Sequence, residues 1–306
     1  MIAMTSGASK TSGHGFGTAP VFLASISTIL GAVLFLRFGY AVANVGLLGA
    51  LFIVLLGHAV TIPTALAISE IATNRRVEGG GEYFIISRSF GTTIGATIGT
   101  ALYLSQAISV AFYSIAFAEA FQPLAPLLES LTGWTFDPRM VSLPFVVALL
   151  VLIYYRGADA GVVGLYVIAG LLGVALLLFF VGQPLDDAPA DIPLLAKVAG
   201  ADPFFLVFAI VFPAFTGMTA GVGLSGDLAN PRRSIPLGTL TATGVGMAVY
   251  VLVVVKLSAS APPEALAGDQ LIMSRIALWG PIIPIGLACA TVSSALGSVL
   301  VAPRTL

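Results

Sequence analysis

An all-α, polytopic membrane protein is the fold class that this sequence predicts. Hydrophobic residues fill 58% of its 306 positions and charged residues only 9%, a composition suited to lipid rather than water. The apolar residues are gathered into eight long uncharged runs. Two of those runs, five apart in order, carry helix-breaking residues at their centres.

The runs are Ala19–Leu36, Phe38–Ser69 (with His58), Ser89–Ala118, Met140–Tyr155, Ala160–Leu185, Pro203–Gly226, Ser234–Val255 and Ile276–Pro303. Most reach the ~20 residues that cross a hydrocarbon core. The second is long enough to contain the turn joining it to the first, and the fourth is short. Ahead of them, residues 1–17 are polar and rich in Gly and Ser, and are expected to be a disordered cytoplasmic tail without the layout of a signal peptide. Residues 18–306 form the transmembrane domain. With the tail inside, Lys10, Arg75, Arg76, Arg88, Arg156, Arg232, Arg233 and Arg304 are cytoplasmic. Only Arg139, Lys197, Lys256 and Arg275 lie outside, so the positive-inside rule sets the orientation. The near-zero net charge argues against nucleic acid as a partner, and the lone Cys289 can form no intrachain disulfide.

The sixth run contains "VFPAFTGMTAG". Pro213 lacks an N–H and clashes with the preceding turn, and Gly217, Gly221 and Gly223 weaken the helix beyond it. The first run has a milder counterpart in "STILGAVLF", Ser27–Phe35, with Gly31 at its centre. One such span alone reads as a proline kink with small residues for close packing. Two of them, in positions one and six, match a fold of two inverted five-helix repeats in which paired broken helices form the substrate site. A half-helix that begins at a break offers free N–H groups and the positive end of its dipole; one that ends there offers carbonyls. Gly31, Ala32 and Val33, and Gly217, Met218 and Thr219, are therefore candidate anion cradles. Ser27 to Leu30 and Pro213 to Thr216 are candidate cation ligands.

Several stretches carry a family likeness: "ILGAVLFLRFGY", "RVEGGGEYFIISRS", "VAFYSIAFAE", "SGDLANPRRSIP" and "ATVSSALGSVLVAPR". In order and without large gaps from about Gly17 to Arg304, they resemble the cation–chloride cotransporter family of the amino acid–polyamine–organocation superfamily, and within it a bacterial-type member. The resemblance implies a LeuT-type fold and transport of chloride with sodium, potassium or both. It implies one chloride site on the backbone of Gly31, Ala32 and Val33 and a second on that of Gly217, Met218 and Thr219. Potassium would be held by Thr28, Ile29, Tyr113, Pro213 and Thr216. Sodium would take carbonyls of Ser27, Leu30 and Ala290 with the hydroxyls of Ser293 and Ser294. Thr28 departs from the family's asparagine and offers a shorter acceptor. Read without the resemblance, the two serines could simply bond carbonyls one turn back, Tyr113 could be packing, and His58 is a mid-span histidine satisfied by a neighbour.

The resulting expectation is a secondary active symporter of the plasma membrane that couples chloride to sodium and/or potassium by alternating access. It is expected not to be an enzyme and to need no cofactor; its partners are the bilayer and small ions, with a homodimer left open. The alternative is an amino-acid permease of the same superfamily, although the bulky "TILGAV" break suits small ions better. A gate is expected between Arg37 and Glu119. Arg37 lies about 13 Å beyond Thr28, and Glu119 about 9 Å beyond Tyr113, at ~1.5 Å per residue, and an unpaired arginine at that depth is costly. Eight spans are two short of the ten the fold requires, so the chain is expected to be truncated after its eighth helix and not to transport alone.

Overall fold

Lipid offers a backbone no hydrogen-bond partner, so long apolar runs must satisfy themselves as helices. The computed structural model describes residues 15–74, 81–156 and 161–302. Its regular elements are helical, apart from one parallel bridge between Phe16 and Leu228. Residues 1–14 of the expected tail lie outside the described residues, as do Arg75, Arg76 and Arg304 of the charge pattern.

The α-helices are α1 (Thr18–Ile29), α2 (Ala32–Asn74), α3 (Gly81–Phe90), α4 (Thr92–Glu119), α5 (Ala125–Thr132), α6 (Arg139–Arg156), α7 (Gly161–Phe180), α8 (Phe204–Val211), α9 (Pro231–Ser260), α10 (Pro263–Gly268), α11 (Ile272–Ile276) and α12 (Ile282–Val301). Two 3₁₀ segments, Phe212–Phe215 and Gly217–Asp227, follow α8. Among the described residues, five helical stretches are long and apolar enough to cross a membrane: Thr18–Asn74, Thr92–Thr132, Phe204–Leu224, Pro231–Ser260 and Ile282–Val299. Arg139–Leu152 and Gly164–Phe180 are shorter apolar helices. The chain is thus a multi-pass membrane protein.

The first stretch is 57 residues long, about 85 Å at ~1.5 Å per residue and far more than one crossing of a ~30 Å core. It turns at Gly46, where φ is 72° and ψ 175°, a conformation that a side chain would oppose. This turn lies inside the second uncharged run. The loop after α7 folds over it, with Leu48 N–H donating to Leu194 O (3.1 Å) and Val198 N–H to Ala43 O (2.9 Å).

The centre of the molecule is one apolar cluster in which α2 packs most extensively on α9, and α1 on α9, while α12 joins α4 and α7. Its largest fully buried side chains include Tyr250, Phe35, Phe38 and Phe215, all close to the two breaks. Charge-free runs do not reveal α3, α5, α10 and α11, which are too short to span. The described part of "RVEGGGEYFIISRS", from Gly81 on, lies in α3, packed on α4 and on the Gly217–Asp227 segment.

Candidate functional site

The first break is short. α1 stops at Ile29, Leu30 leaves helical geometry at ψ 35°, and α2 begins at Ala32. In the preceding turn the side chains bond back to the helix's own carbonyls: Ser27 Oγ donates to Leu23 O (2.7 Å) and Thr28 Oγ1 to Ala24 O (2.9 Å). Beyond it Leu34 N–H donates to Gly31 O (3.1 Å), while the N–H groups of Gly31, Ala32 and Val33 find no partner among the described residues. All three residues are buried. Such N–H groups carry the positive end of α2.

The second break is longer. After α8 the chain tightens into 3₁₀ geometry at Pro213, and Pro213 O accepts both the N–H (3.2 Å) and the hydroxyl (2.8 Å) of Thr216. From Gly217 to Asp227 it remains 3₁₀ rather than α. That run is unusually long for this geometry, which often marks a hinge or strain.

The two breaks touch. A Cβ on Gly217 would stand 2.6 Å from Ile29 N and 2.8 Å from Thr28 C, and one on Gly221 2.5 Å from Val21 O. Only glycine permits this approach. Partner numbers fall from 29 to 21 as residue numbers rise from 217 to 221, so the two segments run antiparallel. Ser25 joins them, donating to Met218 O (2.9 Å) and accepting from Gly221 N–H (3.2 Å). Ser25 was not singled out from sequence, where it is one of three small polar residues in a row of apolar ones.

On α12, Ala290 and Ser294 are buried and Ser293 is half-buried. Thr291 bonds back to Leu287 O and Ala288 O (2.9 and 2.8 Å) in the usual way, but Ser294 Oγ is buried with no hydrogen-bond partner among the described residues. A buried hydroxyl left unpaired costs about 1–3 kcal/mol unless something else meets it. The Tyr113 hydroxyl is its neighbour. Ser27 and Leu30, with Tyr166, Gly170 and Gly173 of α7, line a cavity of about 330 Å³. Pro213 and Thr216 are exposed, and among the described residues no hydrogen bond joins either to Tyr113.

A second residue that sequence reasoning missed is Tyr250 of α9. It is fully buried, and its hydroxyl donates to Ile29 O and lies 3.1 Å from Ala214 O, so it touches both breaks. The available signal was a lone tyrosine in a Gly/Ala/Val-rich span, whose polar tip must find a partner in lipid. His58 Nδ1 is 2.8 Å from Val54 O, and its ring packs 5.1 Å from that of Phe215.

Just beyond the first break on α2, Arg37 Nη2 lies 3.3 Å from Glu119 Oε1, with both side chains largely shielded. One turn further, Tyr40 donates to Asp202 Oδ2 (2.6 Å), and Asp202 N–H donates to Asn44 Oδ1 (2.8 Å). This ties α2 to the entry of α8.

The Amino acid permease family pattern matches residues 20–306. Among curated proteins, Solute carrier family 12 member 8 of Homo sapiens is 34% identical over 303 residues, covering 95% of this chain and 42% of that protein. The Mus musculus counterpart is 33% identical with the same coverage. Solute carrier family 12 member 1 of Mus musculus is 30% identical over 339 residues, covering 93% of this chain and 31% of that protein. The chain therefore spans well under half the length of these relatives. Such proteins are transporters, not enzymes.

Proposed function

The chain belongs to the amino acid permease family, and on that footing we propose that it serves as a symporter of chloride with sodium, potassium or both, working by alternating access on a LeuT-type inverted-repeat fold. One observation carries this reading: two broken, antiparallel helices meet at Gly217 against Thr28 and Ile29. Unpaired N–H groups lie on one side of the junction and helix-end carbonyls on the other. An anion gains from the first without a buried lysine, and a cation from the second.

In this reading chloride is held by Gly31, Ala32 and Val33 and by Gly217, Met218 and Thr219. Potassium takes Thr28, Ile29, Tyr113, Pro213 and Thr216. Sodium takes Ser27, Leu30, Ala290, Ser293 and Ser294, supported by the unpaired Ser294 hydroxyl and by the cavity that reaches Ser27 and Leu30. Sodium coupling is the better supported of the two, because Thr28 offers a shorter acceptor and its proton is already on Ala24 O. Arg37 and Glu119 form the outer gate, with the N-terminus cytoplasmic and the protein in the plasma membrane.

The test is radiolabelled chloride uptake into proteoliposomes of the full-length protein, with sodium and potassium varied independently. Uptake indifferent to both cations would overturn the proposal. The second reading, an amino-acid permease, follows from the family pattern itself; a substrate carboxylate would then occupy the chloride position. Competition by amino acids in the same assay separates the two.

A further inference from the structure

We propose that the Tyr250 hydroxyl is an internal competitor for the transported cation, holding the Ile29 carbonyl in the ion-free protein and giving it up when a monovalent cation binds. The inference rests on the symport reading for the identity of its ligand. The geometry on which it stands is independent of chloride.

Ile29 is the last residue of α1, and Ala214 lies in the 3₁₀ turn that ends α8. Both carbonyls belong to helix ends, where they lack an intrahelical donor and carry the negative end of a dipole. They converge on one phenol oxygen, donating to Ile29 O and 3.1 Å from Ala214 O, at a fully buried side chain. A hydroxyl has one proton to donate. Two carbonyls therefore share one positive partner, in the place where the broken-helix architecture offers carbonyls to a cation. With no ion bound, two buried acceptors would otherwise go unpaired, at a cost comparable to that of any lost buried hydrogen bond.

The ring itself is held still. Phe38 stacks on it at 4.7 Å with planes 23° apart, and Phe215 meets it edge-on at 5.2 Å. The proton can nevertheless turn about the Cζ–Oη bond from Ile29 O to Ala214 O. A cation at Ile29 therefore competes with the O–H for that oxygen, and its arrival moves the proton from the first break to the second. Tyr250 thus sets cation affinity by acting through two backbone carbonyls, and it couples the two broken helices through one atom.

The experiment titrates the thermal stability of purified protein with sodium, potassium or rubidium chloride against N-methylglucamine chloride, in wild type and Tyr250→Phe. Phenylalanine keeps the packing and removes the competing proton. The cation concentration giving half the stabilisation should fall about 3- to 10-fold, the range of one net hydrogen bond. Phe38→Leu, which loosens the ring and keeps the hydroxyl, should shift it in the same direction by less, and it serves if Tyr250→Phe folds poorly. An unchanged or raised midpoint overturns the inference, as does the absence of cation stabilisation in every protein. The expected shift without cation-coupled chloride uptake overturns the symport reading alone.

Discussion

The two breaks in this molecule solve one problem in different ways. The first opens the helix for two residues, Leu30 and Gly31, and returns at once to α geometry over Ala32 onward. The second opens at Pro213 and does not recover; Gly217–Asp227 remains 3₁₀. The difference follows from the flanks. Valine, leucine and phenylalanine after Gly31 are buried and packed, so α2 re-forms against its neighbours. After Gly217 the chain repeats glycine at 221 and 223, and its buried apolar side chains, Met218 and Val222, are fewer than those after Gly31, so less packing favours an α-turn there. The first break is thus a rigid notch, and the second a compliant segment laid against it.

The largest effect expected of this contrast is at Gly217. Gly217→Ala drives a methyl into the backbone of Thr28 and Ile29, a clash of the kind that costs about 1–3 kcal/mol, and should abolish coupled uptake. Gly31→Ala meets the Thr28 and Ser27 carbonyls of its own turn, at 2.8 and 3.7 Å, and no atom of the second break among its nearest contacts, and should be milder. Equal losses, measured as uptake per folded protein, would erase the distinction between notch and compliant segment.

Next in size is the ion pair beyond the first break. Arg37→Glu or Glu119→Arg alone should lower uptake roughly tenfold, as expected for a partly shielded pair, and the double swap should restore it. No recovery with surface expression preserved would remove the gate from the scheme.

Ser294→Ala should act with opposite signs on stability and transport. Removing an unpaired buried hydroxyl should stabilise the sodium-free protein by about 1 kcal/mol. The same change, more so combined with Ser293→Ala, should weaken sodium activation of chloride uptake about fivefold or more. A loss of stability without sodium would show instead that the serines bond the helix backbone. The smallest effect is at the first break itself. Thr28→Asn should strengthen potassium activation about two- to threefold, where a longer amide oxygen replaces a bridging water, and leave sodium activation nearly unchanged.

Much of this architecture was legible beforehand because lipid simplifies the rules. A charge-free run of sufficient length must be helical, so the spans could be read from composition. Pro213, Gly217 and Gly31 announced the breaks, since proline removes a donor and glycine removes packing. The turn at Gly46 could be placed only within a run of 32 residues, because several glycines there were equally eligible. The short helices α3, α5, α10 and α11 carried no comparable signal.

By itself the sequence determined that the chain is a bundle of membrane helices interrupted twice, because backbone satisfaction in lipid is a local requirement that each segment meets alone. Only the tertiary structure decided which groups meet. It put Gly217 on Ile29, Glu119 beside Arg37, and the Tyr250 hydroxyl between two carbonyls 36 and 221 residues away. It also left Ser294 without a partner while Thr291, one turn earlier, found two. Those outcomes depend on how helices distant in sequence pack side by side, and no run of residues encodes its neighbour's position.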